Sequence, residues 1–313
     1  MFGDISKLFD RNFAVGFFLP VFVWFSASLL LIHQYIYRFD LSGFEQIDYL
    51  VWTTVFGMAC LIGGIVFLAA NRGLYRFMEG YGLNPLKWFK GFEIRRYRAI
   101  WRKLEDLENE YQSCAKSGQA FPVESSRKRD ELVSRLAVEF PEQEELLLPT
   151  PFGNALRSFE SFPRVMYGLD SIPAWGRLLA VVPKEYFELI DGAKAYVDLW
   201  VNLGVVFIFL QIEYVGLVFA TGQTLNWWVV GLLYVLATIA PVWATSSALE
   251  WGELVKAAFD VFIPKLREAL EIERPKNRQE EFDQWQNFSR ALIYRYRDDL
   301  PELKMDKENK QSS

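Results

Sequence analysis

The sequence predicts an all-α integral membrane protein: four transmembrane helices paired as two hairpins, with a helical cytoplasmic domain assembled from a central insert and a C-terminal tail. Three observations carry that expectation. The apolar residues, 51% of the chain, are gathered into four blocks of about 20 residues, each long enough as a helix to cross a hydrocarbon core of about 30 Å. The Lys and Arg residues are distributed very unevenly between the segments that join the blocks. Outside the blocks, apolar residues recur every three or four positions, the helical period.

The first block is FAVGFFLPVFVWFSASLLLI, from Phe13 to Ile32. Its flank sets Lys7 and Arg11 against Asp4 and Asp10, and its apolar run is longer than that of a signal peptide, so the expectation is a retained anchor. The second block runs from Tyr49 to Ala70, the third from Leu199 to Ala220 and the fourth from Asn226 to Leu249. These bounds predict a hairpin over 1–70, an insert over 71–198, a second hairpin over 199–249 and a tail over 250–313 with a disordered end, KMDKENKQSS. A buried helix of a soluble core would carry charge along one edge. Only Glu213 is charged within the four blocks.

Orientation follows from the cations. Of 34 Lys and Arg residues, 19 lie in 71–198 and 12 after Leu249, against 2 in residues 1–12 and 1 between the first two blocks. Insert, tail and both termini are therefore expected on the cytoplasmic side of a plasma membrane. Cys60 and Cys114 make no disulfide framework. His33 has neither a second His nor a Cys near it, so it predicts a polar cap at the end of a span and no metal.

In the insert, Gly80, Gly82 and Pro85 mark a turn, and Ile94, Tyr97, Trp101, Leu104, Leu107 and Tyr111 then form an amphipathic stripe ended by Lys116, Ser117 and Gly118. Leu132, Leu136 and Phe140 predict a second helix packed on the first, up to Pro141. Lys87, Trp88, Lys90, Arg95, Arg96 and Arg98 interleave bases with an aromatic ring directly after a span. That pattern predicts contact with anionic lipid, about 1 kcal/mol per cation at the surface. Nucleic acid is not expected as a partner, since the insert as a whole balances 19 bases against 19 acids. In the tail, Val255, Phe259, Phe262 and Leu266 continue the fourth block as a helix broken by Pro275, and Phe282, Trp285, Phe288 and Leu292 form a further stripe from about Glu280 to Tyr296.

The segment PTPFGNALRSFESFPRVMYGLD, from Pro149 to Asp170, predicts a short helix started near Pro151 and stopped at Pro163. Phe152, Leu156 and Phe159 fall on one side of it, and Asn154, Arg157, Glu160 and Arg164 on another. Pro173 and Pro183 then set off a piece, IPAWGRLLAVVP, too short to span. Asn154, Arg157, Glu160, Tyr167, Asp170 and Arg177 are the candidate residues: a structural network in which Arg157 or Arg177 grips Glu160 or Asp170, a binding site for a ligand or partner, or a catalytic cluster.

The spacing Pro149, Thr150, Gly153, Asn154, Leu156, Arg157, Glu160, Pro163, Tyr167, Gly168, Asp170, Trp175, Arg177, Leu178 resembles a recurring cytoplasmic segment of an uncharacterised group of bacterial membrane proteins. VKAAFD, from Val255 to Asp260, is similar to a second patch of that group. The resemblance implies a bacterial membrane protein with a cytoplasmic segment between paired spans, and brings no activity with it.

No phosphate-binding loop, dinucleotide fingerprint, HExxH or CxxC occurs, which removes the motif support for nucleotide, dinucleotide and zinc chemistry. One histidine at the far membrane face leaves no cytoplasmic Ser-His-Asp or Cys-His arrangement. No catalytic residue, metal or cofactor is therefore expected. Glu213, with Gln211 close by, is the polar feature inside a span. It reads either as part of an ion or proton path or as a hydrogen-bonded residue joining helices, with Asn202, Thr238, Thr245, Ser246, Ser247, Thr53 and Thr54 as candidate partners. The second reading is preferred, because a single acid without a basic partner makes a thin relay. Gly57, Gly63 and Gly64 are expected to permit close helix contact. The function expected is thus non-enzymatic, a membrane-anchored protein that binds lipid and a protein partner or its own copies. A small channel using Glu213 is the alternative, and an enzyme built on the Arg157, Glu160 and Asp170 cluster comes third.

Overall fold

The computed structural model describes residues 10–35, 49–83 and 87–295. Pro85, Tyr296 and the polar end KMDKENKQSS lie outside the described residues. Among those described, every regular element is helical and none is a strand. Helix α1 comprises Arg11–Phe13 and Leu19–Tyr35 joined by a π-helical turn, Ala14–Phe18. The others are α2 Tyr49–Met78, α3 Lys87–Ser117, α4 Val123–Glu139, α5 Pro151–Tyr167, α6 Ser171–Leu179, α7 Lys184–Thr221, α8 Trp227–Ala269 and α9 Arg278–Tyr294.

Among the described residues, four helices are long and apolar enough to cross a membrane: α1, α2, α7 and α8. All four outrun their apolar blocks. At 38 and 43 residues, α7 and α8 are about 57 and 65 Å long at 1.5 Å per residue, about twice the hydrocarbon thickness.

The chain forms two compact units, the first from Met1–Leu83 and Asp191–Ala248, the second from Asn84–Ile190 and Leu249–Ser313. In the first, Phe13, Phe17 and Val21 of α1, Cys60 and Phe67 of α2, Val206, Leu210 and Tyr214 of α7 and Leu233 of α8 share one core. Glycine sets how closely α1 and α2 meet: a Cβ on Gly63 would stand 2.6 Å from Val21 Cγ1, and one on Gly64 3.0 Å from Phe13 Cζ. Gly57, expected to act likewise, has nothing within 4 Å of such an atom. The turn between α7 and α8 uses Gly222 at φ +65°, and the buried Tyr214 hydroxyl accepts from Asn226 N–H at 2.8 Å.

In the second unit α3 packs on α4 through Tyr97, Ile100, Leu132, Phe140 and Leu147. Trp101 and Tyr111 of the expected stripe are 50% and 44% exposed instead. Helix α5 does not stop at Pro163 as expected. Proline has no N–H to donate, but its fixed φ suits a helix, so only one bond is forgone and the chain turns once more before Gly168. Thr150 opens α5, its side chain accepting from Gly153 N–H at 3.0 Å with Pro151 at the first position. Gly168, at φ +77°, closes it: Gly168 N–H reaches Arg164 C=O and Leu169 N–H reaches Pro163 C=O.

Candidate functional site

The six candidate residues fall in the second unit and do not form one cluster. Asn154 is fully buried rather than on a polar face. Its amide donates to Glu93 Oε2 at 3.0 Å and its oxygen accepts from Leu148 N–H at 2.7 Å. Glu93, 1% exposed, also receives Arg96 at 3.0 Å, and Arg96 reaches Glu139 at 3.1 Å. The chain of charges joins α3, α4 and the start of α5, which is a structural role.

Arg157 pairs with Glu160 at 3.6 Å, too long for the bidentate grip considered from sequence. Arg177 reaches no acid among the described residues; it donates to Pro173 C=O one turn away at 2.6 Å. Asp170 precedes α6, and its backbone N–H donates to Ser289 Oγ at 2.8 Å. The Tyr167 hydroxyl donates to Asp260 Oδ1 at 2.5 Å. Burial, with the Asp260 bond and charge added, holds the Tyr167 phenol well above its usual range.

Of the six, Glu160 lines a cleft. This cavity of about 240 Å³ is walled by Phe159, Trp175, Trp251, Val255 and Phe259, with Ser171 and Ile172 at its edge. The walls follow from sequence position. Phe159 sits on the apolar side of α5, and Gly252 of α8 admits its ring, since a Cβ there would stand 2.5 Å from Phe159 Cδ1. Phe159 meets Trp251 edge-on at 5.0 Å, and Trp175 of α6 leans on Phe259 at 5.9 Å. Two polar groups belong to the cleft's lining residues. The shielded Trp251 indole N–H has no acceptor among the described residues. The Glu160 carboxyl is pushed above the usual carboxylate range by burial; Arg157 pulls it down and Asp170 adds to the rise. Chemically the cleft offers an apolar socket and one acid. Its volume falls below the 300–1,000 Å³ of ordinary small-molecule sites and suits a single inserted side chain. A larger cavity of about 350 Å³ beside Lys265, Arg267 and Arg274 has its buried charge already spent, since Arg267 binds Glu281 at 2.7 Å and stacks over Trp285.

Sequence reasoning had Phe159 and Phe259 only as helix stripes and missed Trp251 and Glu93. A lone acid among the bases of 87–103 was the available signal for Glu93; nothing marked Trp251 beyond its place after Glu250.

Of the six residues expected at lipid, Arg96 and Arg98 are committed to carboxylates, Arg98 in a two-pronged bond with Glu144. That bond and the Arg98 charge hold Glu144 below the usual carboxylate range against a smaller opposing effect of burial. Lys90 leans toward Glu145 C=O at 3.5 Å. Arg95 is exposed, and its Nε donates to Gly91 C=O. Trp88, 64% exposed, stacks on Phe89 at 3.7 Å. Lys87 opens α3, and its side chain lies outside the described residues.

In the first unit Glu213 and Gln211 are half-buried on α7. The partners of Glu213 differ from all those expected: Ser28 Oγ donates to its Oε2 at 2.7 Å and Trp24 Nε1 at 3.4 Å. Thr53, Thr54, Thr238 and Thr245 bond backbone carbonyls of their own helices, as hydroxyls in apolar helices do. Asn202 instead donates to Gly16 C=O at 2.7 Å.

No group of three or more His, Cys, Asp or Glu among the described residues is arranged to hold a metal ion. Compared with protein-family models, with curated proteins and with solved structures, the chain matches none.

Proposed function

We propose that the chain is a multi-pass protein of a bacterial inner membrane, its four spans paired as two hairpins, with both termini and the whole second unit in the cytoplasm. The cation distribution supports that orientation, since 31 of 34 Lys and Arg lie in 71–198 and after Leu249. Membership of the bacterial group suggested by the Pro149 to Leu178 pattern belongs to the same proposal. Its work is binding, not catalysis: the second unit holds a protein partner, or another copy, and Trp88, Lys90 and Arg95 rest on lipid.

The observation that carries this reading is the cleft. An aromatic socket sized for one side chain, with an acid among its lining residues, fits a segment that inserts an apolar residue beside a Lys or Arg. Glu213, held by Ser28 and Trp24, supports the helix-joining reading of that residue over conduction.

Photo-crosslinking tests it. A photoreactive phenylalanine at Ile172, 74% exposed on the cleft edge, is expected to give one adduct of discrete mass in cells, lost in Trp175→Ala. The same probe at Val133, exposed on α4, serves as control. Equal adducts at both positions, or none at Ile172, would overturn the proposal.

A further inference from the structure

The first unit contains a polar site that neither the spans nor the cleft explains. Asp191, Lys194, Asp198 and Asn202 lie three or four residues apart on α7 and form one stripe. Asp198 is 3% exposed. Its Oδ1 accepts from Asn71 Nδ2 at 3.0 Å and Tyr75 O–H at 2.7 Å, both on α2, and its Oδ2 from Lys194 Nζ at 2.7 Å. The π-helical turn of α1 completes the surroundings. A Cβ on Gly16 would stand 3.0 Å from Asp198 Cβ, so glycine there lets the α1 backbone close on the carboxylate. Gly16 C=O receives Asn202 Nδ2, and Asn12 donates to Asp191 at 2.6 Å. Turns of this kind recur at functional sites.

Two features of this cluster are not needed to hold helices together. The stripe carries two carboxylates and one ammonium, so a negative charge is left over. Asn202, wholly buried, and Asn71 each spend their amide N–H on a fixed acceptor, and the oxygen of each is shielded without a donor among the described residues. Flipping either amide would set oxygen against oxygen, so both acceptors are fixed. A buried acceptor left unanswered costs about 1–3 kcal/mol, and two on residues that neighbour a carboxylate are hard oxygens of the kind an alkali or alkaline-earth ion takes.

We propose that this site binds a sodium ion, with Asp198 and the side-chain oxygens of Asn71 and Asn202 as ligands and the Lys194 ammonium as a tethered competitor. One carboxylate of the set and an excess of one negative charge match a monovalent ion; calcium takes six to eight oxygens. Lys194, 34% exposed against 5% for the Asp198 side chain, stands at the mouth. Swinging out, it would give up the carboxylate to the metal. Among the described residues, Asp191 and Lys194 on α7 and Tyr75 on α2 are the titratable groups bonded around Asp198, and Glu79 acts on Tyr75 from one turn beyond.

The test uses the full chain in lipid nanodiscs. The unfolding midpoint and binding of radioactive sodium are followed in sodium chloride against choline chloride at constant ionic strength. Saturable stabilisation and binding by sodium are expected, with half-saturation several-fold lower in Lys194→Gln, which keeps every ligand and removes the competitor. Asp198→Asn should lose the effect. Should Asp198→Asn fail to fold, the Lys194→Gln result decides alone. Midpoints and counts that do not respond to sodium in either the native chain or Lys194→Gln would mean water satisfies these oxygens, and the proposal falls.

Discussion

The Tyr167 hydroxyl donates to Asp260 at 2.5 Å and so joins residues 93 apart in the chain. One belongs to the stretch after Pro149, the other to VKAAFD, and a second link runs from the same patch: Lys256, 8% exposed, donates to Ala137 C=O at 3.0 Å. The stretch after Pro149 and VKAAFD thus meet within the second unit, where Phe159 also lines one cavity with Val255 and Phe259.

The Tyr167 bond makes stability depend on alkaline pH. A phenol whose folded-state pKa is raised contributes stability that is complete below about pH 10, the value of a free tyrosine, and is lost as pH rises toward the folded value. Tyr167→Phe is expected to lower the unfolding midpoint at pH 8, by about 1 kcal/mol for the lost bond. The gap should close as pH climbs above 10. A gap that stays constant or widens in thermal scans would contradict the assignment.

Gly168 faces two demands. Its φ of +77° disfavours any side chain, and a Cβ would stand 2.5 Å from Phe282 C=O, a backbone atom that cannot swing away. Gly168→Ala should cost about 2 kcal/mol or more, read as a lower midpoint in detergent. Gly176→Ala, where nothing lies within 4 Å, should leave the midpoint unchanged or raise it.

Asn154→Leu tests the buried network. Glu93 would lose one donor and Leu148 N–H its acceptor, for a loss of about 2–4 kcal/mol. Asn154→Asp would place a second carboxylate against Glu93 and should be worse at pH 7 than at pH 5. Equal midpoints for native and Asn154→Leu protein would show that the bonds are not made.

For Glu213, the glutamine variant keeps an acceptor for Ser28 and removes the charge. Proton flux through liposomes carrying Glu213→Gln should equal that of the native chain, and stability should change by less than about 1 kcal/mol. A flux lost in the variant alone would restore the conduction reading.

Much of this fold was legible because its strongest signals are local. The apolar blocks gave the spans, Thr150 and Pro151 the start of α5, and Gly118 the end of α3. The run of α8 past its block was legible too, in the helical spacing of Val255, Phe259, Phe262 and Leu266; the start of α7 was not, because Lys184 to Asp198 is amphipathic and reads as a separate piece. Side-chain partners were least legible. Asn154 looked polar and outward until the third dimension put Glu93 beside it, and Glu213 found Ser28 and Trp24 185 and 189 residues away. The cleft drew Glu160 from α5, Trp175 from α6 and Trp251 from α8, a grouping that no periodicity encodes.

The Ala137 carbonyl, in the last turn of α4, takes both the Ser158 hydroxyl and the Lys256 ammonium at 3.0 Å. Three helices therefore share one oxygen, and the fraying that usually begins at a helix end has no independent route here. Amide protons of the α4 terminus should exchange with deuterium in step with those around Ser158 and Lys256, as one cooperative opening rather than three.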